Sequence, residues 1–140
     1  MIIRDAQRDD APELTRLLKQ LGYPTTVDAV VRRVARLAAS DADRLVVAEL
    51  DERVVGLASI HVSLAIEYDK PAAKLSAIVV DERYRRRGIG EALVETMETE
   101  GRVRGCCLIF LTTAERRCRA HDFYRRLGFE ETGRRFAKRL

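Results

Sequence analysis

The chain has 140 residues, 46% hydrophobic and 34% charged, which excludes disorder along its length and gives one core enough material without disulfides or metals. No apolar run approaches the ~20 residues of a membrane-spanning helix, and residues 1–5 lack the basic-then-apolar pattern of a signal peptide. The net charge of +4 is uneven: residues 1–80 carry 11 basic and 12 acidic side chains, residues 81–140 carry 15 and 10, so an anionic partner is expected to meet the C-terminal part.

Residues 1–6 read as a short strand. Asp10-Ala11-Pro12-Glu13 then opens a helix, with Asp10 as its cap, Glu13 three residues on and Pro12 in the first turn. Leu14, Leu17, Leu18 and Leu21 follow at helical spacing, and Gly22 stops the helix. Thr25 or Thr26 caps a second helix whose apolar stripe is Val27, Val30, Val31, Val34, Leu37 and Ala38.

Residues 45–50 and 54–62 form a hairpin around the polar turn Asp51-Glu52-Arg53. Residues 63–71 read as a loop ending at Pro71. A long strand over 72–80 follows, with Ala73, Leu75, Ala77 and Val79 expected on one face and Lys74, Ser76, Ile78 and Val80 on the other. Beyond it the pattern becomes a polar loop over 81–87, a helix from Gly88-Ile89-Gly90 to about residue 104, and a short strand over 107–112. A fourth helix is expected over 117–127, with Gly128 as its stop. Two terminal strands, around 129–131 and 134–138, complete one mixed α/β (α+β) domain over residues 1–140.

The three cysteines, Cys106, Cys107 and Cys118, form no disulfide framework and no CxxC, and His61 and His121 are sixty residues apart, so no metal site is expected. A reducing, cytoplasmic location is the simplest expectation.

The chemistry concentrates at Val79-Val80-Asp81-Glu82-Arg83-Tyr84-Arg85-Arg86-Arg87-Gly88-Ile89-Gly90. A strand runs into a basic loop, two glycines follow, and a helix begins. The first N–H groups of a helix lack intrahelical partners and the helix dipole places partial positive charge there, so this is an anion site. Arg85, Arg86 and Arg87 add full charges suited to phosphate. No Gly-Lys-Ser/Thr makes it a P-loop, and Leu93 stands where GxGxxG needs its third glycine.

Together with Ala120-His121-Asp122-Phe123-Tyr124-Arg125-Arg126-Leu127-Gly128-Phe129, this stretch resembles the GNAT superfamily of acetyl-CoA-dependent N-acetyltransferases. That family carries Arg/Gln-x-x-Gly-x-Gly/Ala after its fourth strand and Ala-x-x-Phe-Tyr-x-x-x-Gly-Phe near its C-terminus. The resemblance implies about four helices on a mixed central sheet splayed between strands four and five. It implies that Arg85, Arg86, Arg87, Gly88, Ile89 and Gly90 hold the coenzyme A pyrophosphate. It also implies that the pantetheine arm pairs with the main chain around Ile78 and Val80, and that an N–H near Val79 or Val80 polarises the thioester carbonyl. Tyr124 matches the tyrosine that protonates the departing thiolate.

An amine acceptor also needs a base. Many family members place a Glu on the fourth strand, where this chain has Lys74 and Ser76. Glu67 and Asp69 in the preceding loop are the nearest acids, and His61 is the alternative. Arg117 stands where many members carry Asn, so a contact to the pantetheine amide differs or is absent. Direct transfer needs no cysteine nucleophile.

The expected function is acetyl transfer from acetyl-CoA to a primary amine, either a small cationic one (an aminoglycoside-like compound or polyamine) or a peptide amine. The alternative is a catalytically weak acyl-CoA sensor or protein-interaction domain. The arginines gather at the coenzyme loop without a stacking-aromatic array, which argues against a nucleic-acid partner. No membrane partner is expected. Residues 136–140 are a candidate edge strand for a homodimer.

Overall fold

The computed structural model describes residues 1–113 and 118–140. Five strands form one sheet in the order β1 (Ile2–Asp5), β2 (Asp43–Leu50), β3 (Arg53–Ser63), β4 (Ala72–Val80) and β5 (Leu108–Phe110). The first four are antiparallel, and β5 lies parallel to β4. Helices α1 (Ala11–Leu21) and α2 (Val27–Ala38) cover one face through Leu14, Leu17, Val30 and Val34. Helix α3 (Ile89–Val103) covers the other through Ile89, Leu93, Val94 and Met97, and α4 (Cys118–Arg126) adds Phe123 and Tyr124 to that side. Both sheet faces are covered, which is why the strands read as near-continuous apolar runs. No helix among the described residues is long and apolar enough to cross a membrane.

The expected helix punctuation holds with one correction. Gly22 ends α1 at φ 105°, and the Thr26 hydroxyl accepts from the Ala29 N–H at 3.2 Å to cap α2. Asp10 makes no side-chain cap on α1. Its carboxylate instead takes the Gln7 N–H at 2.7 Å and a two-point bond from the Arg4 guanidinium at 2.9 and 3.0 Å. A charge-assisted fork of this kind outcompetes a single N-cap bond.

The second correction concerns β4. Ser59 pairs with Ala77 but Ile60 pairs with Leu75, so Ser76 is an extra residue in the ladder. Such a bulge reverses the alternation beyond it. Ala73, Leu75, Ile78 and Val80 therefore pack toward α3, while Ala77 and Val79 pack toward α1 and α2. A plain alternation had put Leu75 and Val79 on one face.

Third, the two terminal strands are absent: residues 129–140 form neither strand nor helix. All of residues 130–140 are exposed, including Phe136 at 92%. The segment has few apolar side chains among six charged ones and no partner strand to reward extension.

The splay between β4 and β5 is present. β5 pairs only with Ala72, Ala73 and Lys74, so on that side the rest of β4, to Val80, has no strand partner among the described residues. The result is a cleft that opens toward the end of β4 and the start of α3.

Candidate active site

The loop after β4 begins at Asp81, the one fully buried carboxylate of this region. Its N–H donates to Val55 O at 2.8 Å. Its carboxylate accepts the Arg83 N–H at 3.0 Å, the Arg83 guanidinium at 3.0 Å and the Arg16 guanidinium at 2.5 Å. The Arg83 side chain chiefly, with its N–H and Arg16, outweighs the cost of burial and holds the Asp81 carboxyl well below the usual range. A single 3₁₀ turn, Glu82–Tyr84, follows.

Arg86 and Gly88 then take left-handed backbone conformations, at φ 63° and 78°. Successive turns of this hand aim main-chain N–H groups into one concavity, which suits an anion. Gly88 is the N-cap of α3, and the first intrahelical bond is Ala92 N–H to Gly88 O at 3.1 Å. The N–H groups of Ile89, Gly90 and Glu91 precede that bond and point out of the helix start. Arg85, Arg86 and Arg87 are all exposed around it; Arg85 Nε donates to Val80 O at 3.3 Å, and the Arg87 guanidinium lies 5.2 Å from the Tyr84 ring centre. This donor set fits a diphosphate: backbone N–H groups, a helix N-terminus and three cations, with nothing within 4 Å of where a Gly88 side chain would stand.

Gly90 also lets α4 approach. A Cβ there would lie 3.2 Å from Phe123 Cζ and 3.7 Å from Val80 Cγ2. Val80, Gly90 and Phe123 therefore meet at the end of β4. Tyr124 is next to Phe123, edge-on to it at 5.3 Å between ring centres and to Phe129 at 5.7 Å. The structure thus gathers the two distant motifs at the open half of β4.

A family model described as "Acetyltransferase (GNAT) family" matches residues 9–129. The chain belongs to that acetyltransferase family. Among curated GNAT relatives, human N-acetyltransferase 8 is 34% identical over 95 residues, covering 64% of this chain and 40% of that one. The aminoalkylphosphonate N-acetyltransferase of Salmonella typhimurium is 33% identical over 87 residues, covering 62% of this chain and 56% of that one. The chain thus spans about half or less of the length of these relatives. Among solved structures, a transcriptional regulator from Bacillus halodurans superposes with a TM-score of 0.91 at 24% identity over 99% of both chains. The aminoglycoside N-acetyltransferase AAC(6')-Iy in complex with CoA superposes with a TM-score of 0.87 at 24% identity, over 99% of this chain and 93% of that one. Both likenesses show the GNAT fold.

The two bases considered from the sequence lie away from the arginine-rich loop. Glu67 is exposed in the loop joining β3 to β4, at the opposite end of β4 from Arg85. His61 pairs across the sheet with Lys74, which in turn pairs with Phe110 of β5. That row is the last before β4 and β5 part, about 20 Å along β4 from Val80 at ~3.3 Å per residue. The His61 Nδ1–H donates to Asp43 Oδ1 at 2.8 Å, and the Ser40 hydroxyl donates to Asp43 Oδ2 at 2.6 Å. Burial opposes the Asp43 charge, but these two donors outweigh it and lower its pKa. Of the cysteines, Cys106 is half-buried, and burial pushes its thiol up, away from a nucleophile's range. Arg117 lies outside the described residues.

Sequence reasoning missed Asp81, Arg16 and Gln20 as parts of this site. Glu13, Arg16 and Gln20 share one face of α1: Arg16 bonds Glu13 at 2.8 Å and Asp81, and the Gln20 side chain accepts the Glu82 N–H at 3.0 Å. The available signal was their spacing on the helix and an acid at the first position after an apolar strand.

Proposed function

We propose that the protein transfers the acetyl group of acetyl-CoA directly to a primary amine. The observation that carries this is the meeting of the left-handed turn at Arg86 and Gly88 with the N-terminus of α3, beside the half of β4 that β5 does not pair among the described residues, and the Tyr124 helix. Arg85, Arg86 and Arg87 with the N–H groups of Ile89 and Gly90 would hold the pyrophosphate, and the main chain at Ile78, Val79 and Val80 would receive the pantetheine arm. Acetyl-CoA supplies an activated acyl group and a thiolate leaving group. Tyr124 is assigned the proton for that thiolate.

For the base, His61 has better geometry than Glu67. Asp43 fixes its Nδ1 as the donor, which leaves Nε2 to accept; from a row about 20 Å along β4 from Val80, at ~3.3 Å per residue, it would act only through a chain of waters. A His61→Gln variant lowers kcat by about tenfold or more with acetyl-CoA affinity unchanged; an unchanged kcat removes His61 from the reaction.

The acceptor proposed is a small amine. Relatives named for aminoalkylphosphonates and amino acids support it. Thiol release from acetyl-CoA, measured with aminoglycosides, polyamines, amino acids, aminophosphonates and a peptide amine, tests the reading. Tight acetyl-CoA binding without turnover of any amine would leave the acyl-CoA sensor in its place. A homodimer is proposed through the outer edge of β5 and residues 129–140, where Phe136 and Leu140 are exposed, and light scattering reads its mass.

A further inference from the structure

We infer that Arg16 is a positioning residue for the coenzyme loop: gripping Asp81 from the α1 side of the sheet, it sets the left-handed turn at Arg86 and Gly88 in the shape that receives a diphosphate. The inference rests on the reading that this loop binds the coenzyme pyrophosphate.

The loop has little else to hold it. Apart from the bonds to Asp81, its ties are Arg85 Nε to Val80 O at 3.3 Å and Glu82 N–H to the Gln20 side chain at 3.0 Å. Its one apolar anchor before the buried Ile89 is Tyr84, half-buried against the core on the α3 side, while Glu82, Arg83, Arg85, Arg86, Arg87 and Gly88 are exposed. Asp81 is the fixed point: its N–H is held by Val55 O of β3, and Arg16, 65 residues away in the chain, is the one side chain from outside the loop that grips its carboxylate among the described residues.

The Arg16 fork is itself aimed. Nε and Nη2 donate to Glu13 Oε2 at 3.1 and 2.8 Å, which turns Nη1 toward Asp81 Oδ2. A planar guanidinium bridges two carboxylates in a fixed geometry that a lysine ammonium does not reproduce.

The pair also sorts charge. Five arginines stand near this loop: Arg16, Arg83, Arg85, Arg86 and Arg87. Asp81 engages Arg16 and Arg83, leaving Arg85, Arg86 and Arg87 outward for an anion. Without Arg16, a fully buried carboxylate has Arg83 as its only cation among the described residues, and a buried charge short of partners recruits another. The nearest candidates are the loop's own arginines, at the expense of the diphosphate site.

Calorimetric titration of the full chain with acetyl-CoA, paired with amide exchange of the ligand-free chain, tests this. Arg16→Met raises Kd by about tenfold or more and speeds exchange at residues 82–90, while β3 and β4 amides keep the parent's rates. Arg16→Lys, which keeps a charge beside Asp81 but loses the bridging fork, raises Kd to a value between the parent's and that of Arg16→Met. Glu13→Gln, which leaves Asp81 paired but loosens the fork, raises Kd by about threefold and covers the case of an Arg16→Met chain that does not fold. The inference is overturned by parent-like Kd values for both Arg16→Met and Glu13→Gln, or by exchange that speeds across the whole sheet. A parent chain that does not bind acetyl-CoA overturns the underlying reading instead. So does an Arg85→Gln, Arg86→Gln, Arg87→Gln triple variant that binds as well as the parent.

Discussion

The ring of Phe123 on α4 occupies the space where a side chain on Gly90 would begin, with Cζ 3.2 Å from the position of a Gly90 Cβ. One contact therefore ties the coenzyme-loop helix to the helix that carries Tyr124. The glycine is required by the neighbour rather than by its own backbone, because its φ is helical. Gly90→Val adds branched volume against both Phe123 and Val80 and is expected to cost about 1–3 kcal/mol by overpacking. Urea unfolding measures it. A double variant, Gly90→Val with Phe123→Ala, recovers part of the loss; full additivity of the two changes would deny the contact.

Tyr124→Phe separates packing from chemistry at the same place. Both ring contacts, to Phe123 and Phe129, are edge-on and survive the change. Only the hydroxyl is lost. Acetyl-CoA affinity is expected to stay within about twofold of the parent, and kcat to fall by about tenfold or more, the range of a lost general acid. Steady-state thiol release with the best amine reads both. An unaltered kcat would leave Tyr124 as a packing residue.

The local signals in the sequence proved sufficient for the helices. Gly22, Thr26 and the leucine spacing of α1 act over a few residues, and each sits where expected. The ordered motifs around Gly88 and Tyr124 mark two segments that meet in the fold, where Gly90 touches Phe123. What stayed hidden depends on contacts made across the chain. Ser76 looks like any polar strand residue until its pairing with β3 exposes the bulge, and that bulge decides which face Ile78 and Val80 present. The union of Arg16 with Asp81 spans 65 positions, so no window of sequence contains it. Residues 129–131 and 134–138 read as strands, yet among the described residues no neighbouring strand takes up their backbone groups.

Arg86 offers a test in which stability and binding move in opposite directions. Its φ of 63° is a left-handed conformation that costs a side-chain-bearing residue about 1 kcal/mol. Glycine adopts it freely, at some entropic cost in the unfolded chain. Arg86→Gly is therefore expected to raise the urea midpoint by an amount equivalent to about 0.5 kcal/mol. The same change removes one exposed cation from the anion site, so acetyl-CoA binding weakens by about threefold at low salt and converges on the parent at high salt. A difference that persists at high salt would place the effect in loop shape rather than in charge.

Asp81 sets the acid limit of the loop. Its folded carboxyl titrates below the ordinary aspartate value because Arg83, with Arg16, favours the charged form over the cost of burial. A depressed folded pKa contributes stability that is fully present above the unfolded value, about 3.9. That contribution falls progressively as pH drops below this value toward the folded pKa, since the unfolded chain then binds the proton first. Asp81→Asn removes the charge at every pH. At pH 7 the variant is expected to be less stable than the parent by about 1.5–3 kcal/mol, the range for hydrogen bonds to a charged group. Near pH 3 the gap narrows, because the parent has begun to lose the same contribution. Urea unfolding of both chains across pH 2.5 to 7 (a range chosen about the ordinary carboxylate value) measures the gap directly. A gap constant over that range would mean that Asp81 titrates alike in both states and that its two arginines do not favour its charge.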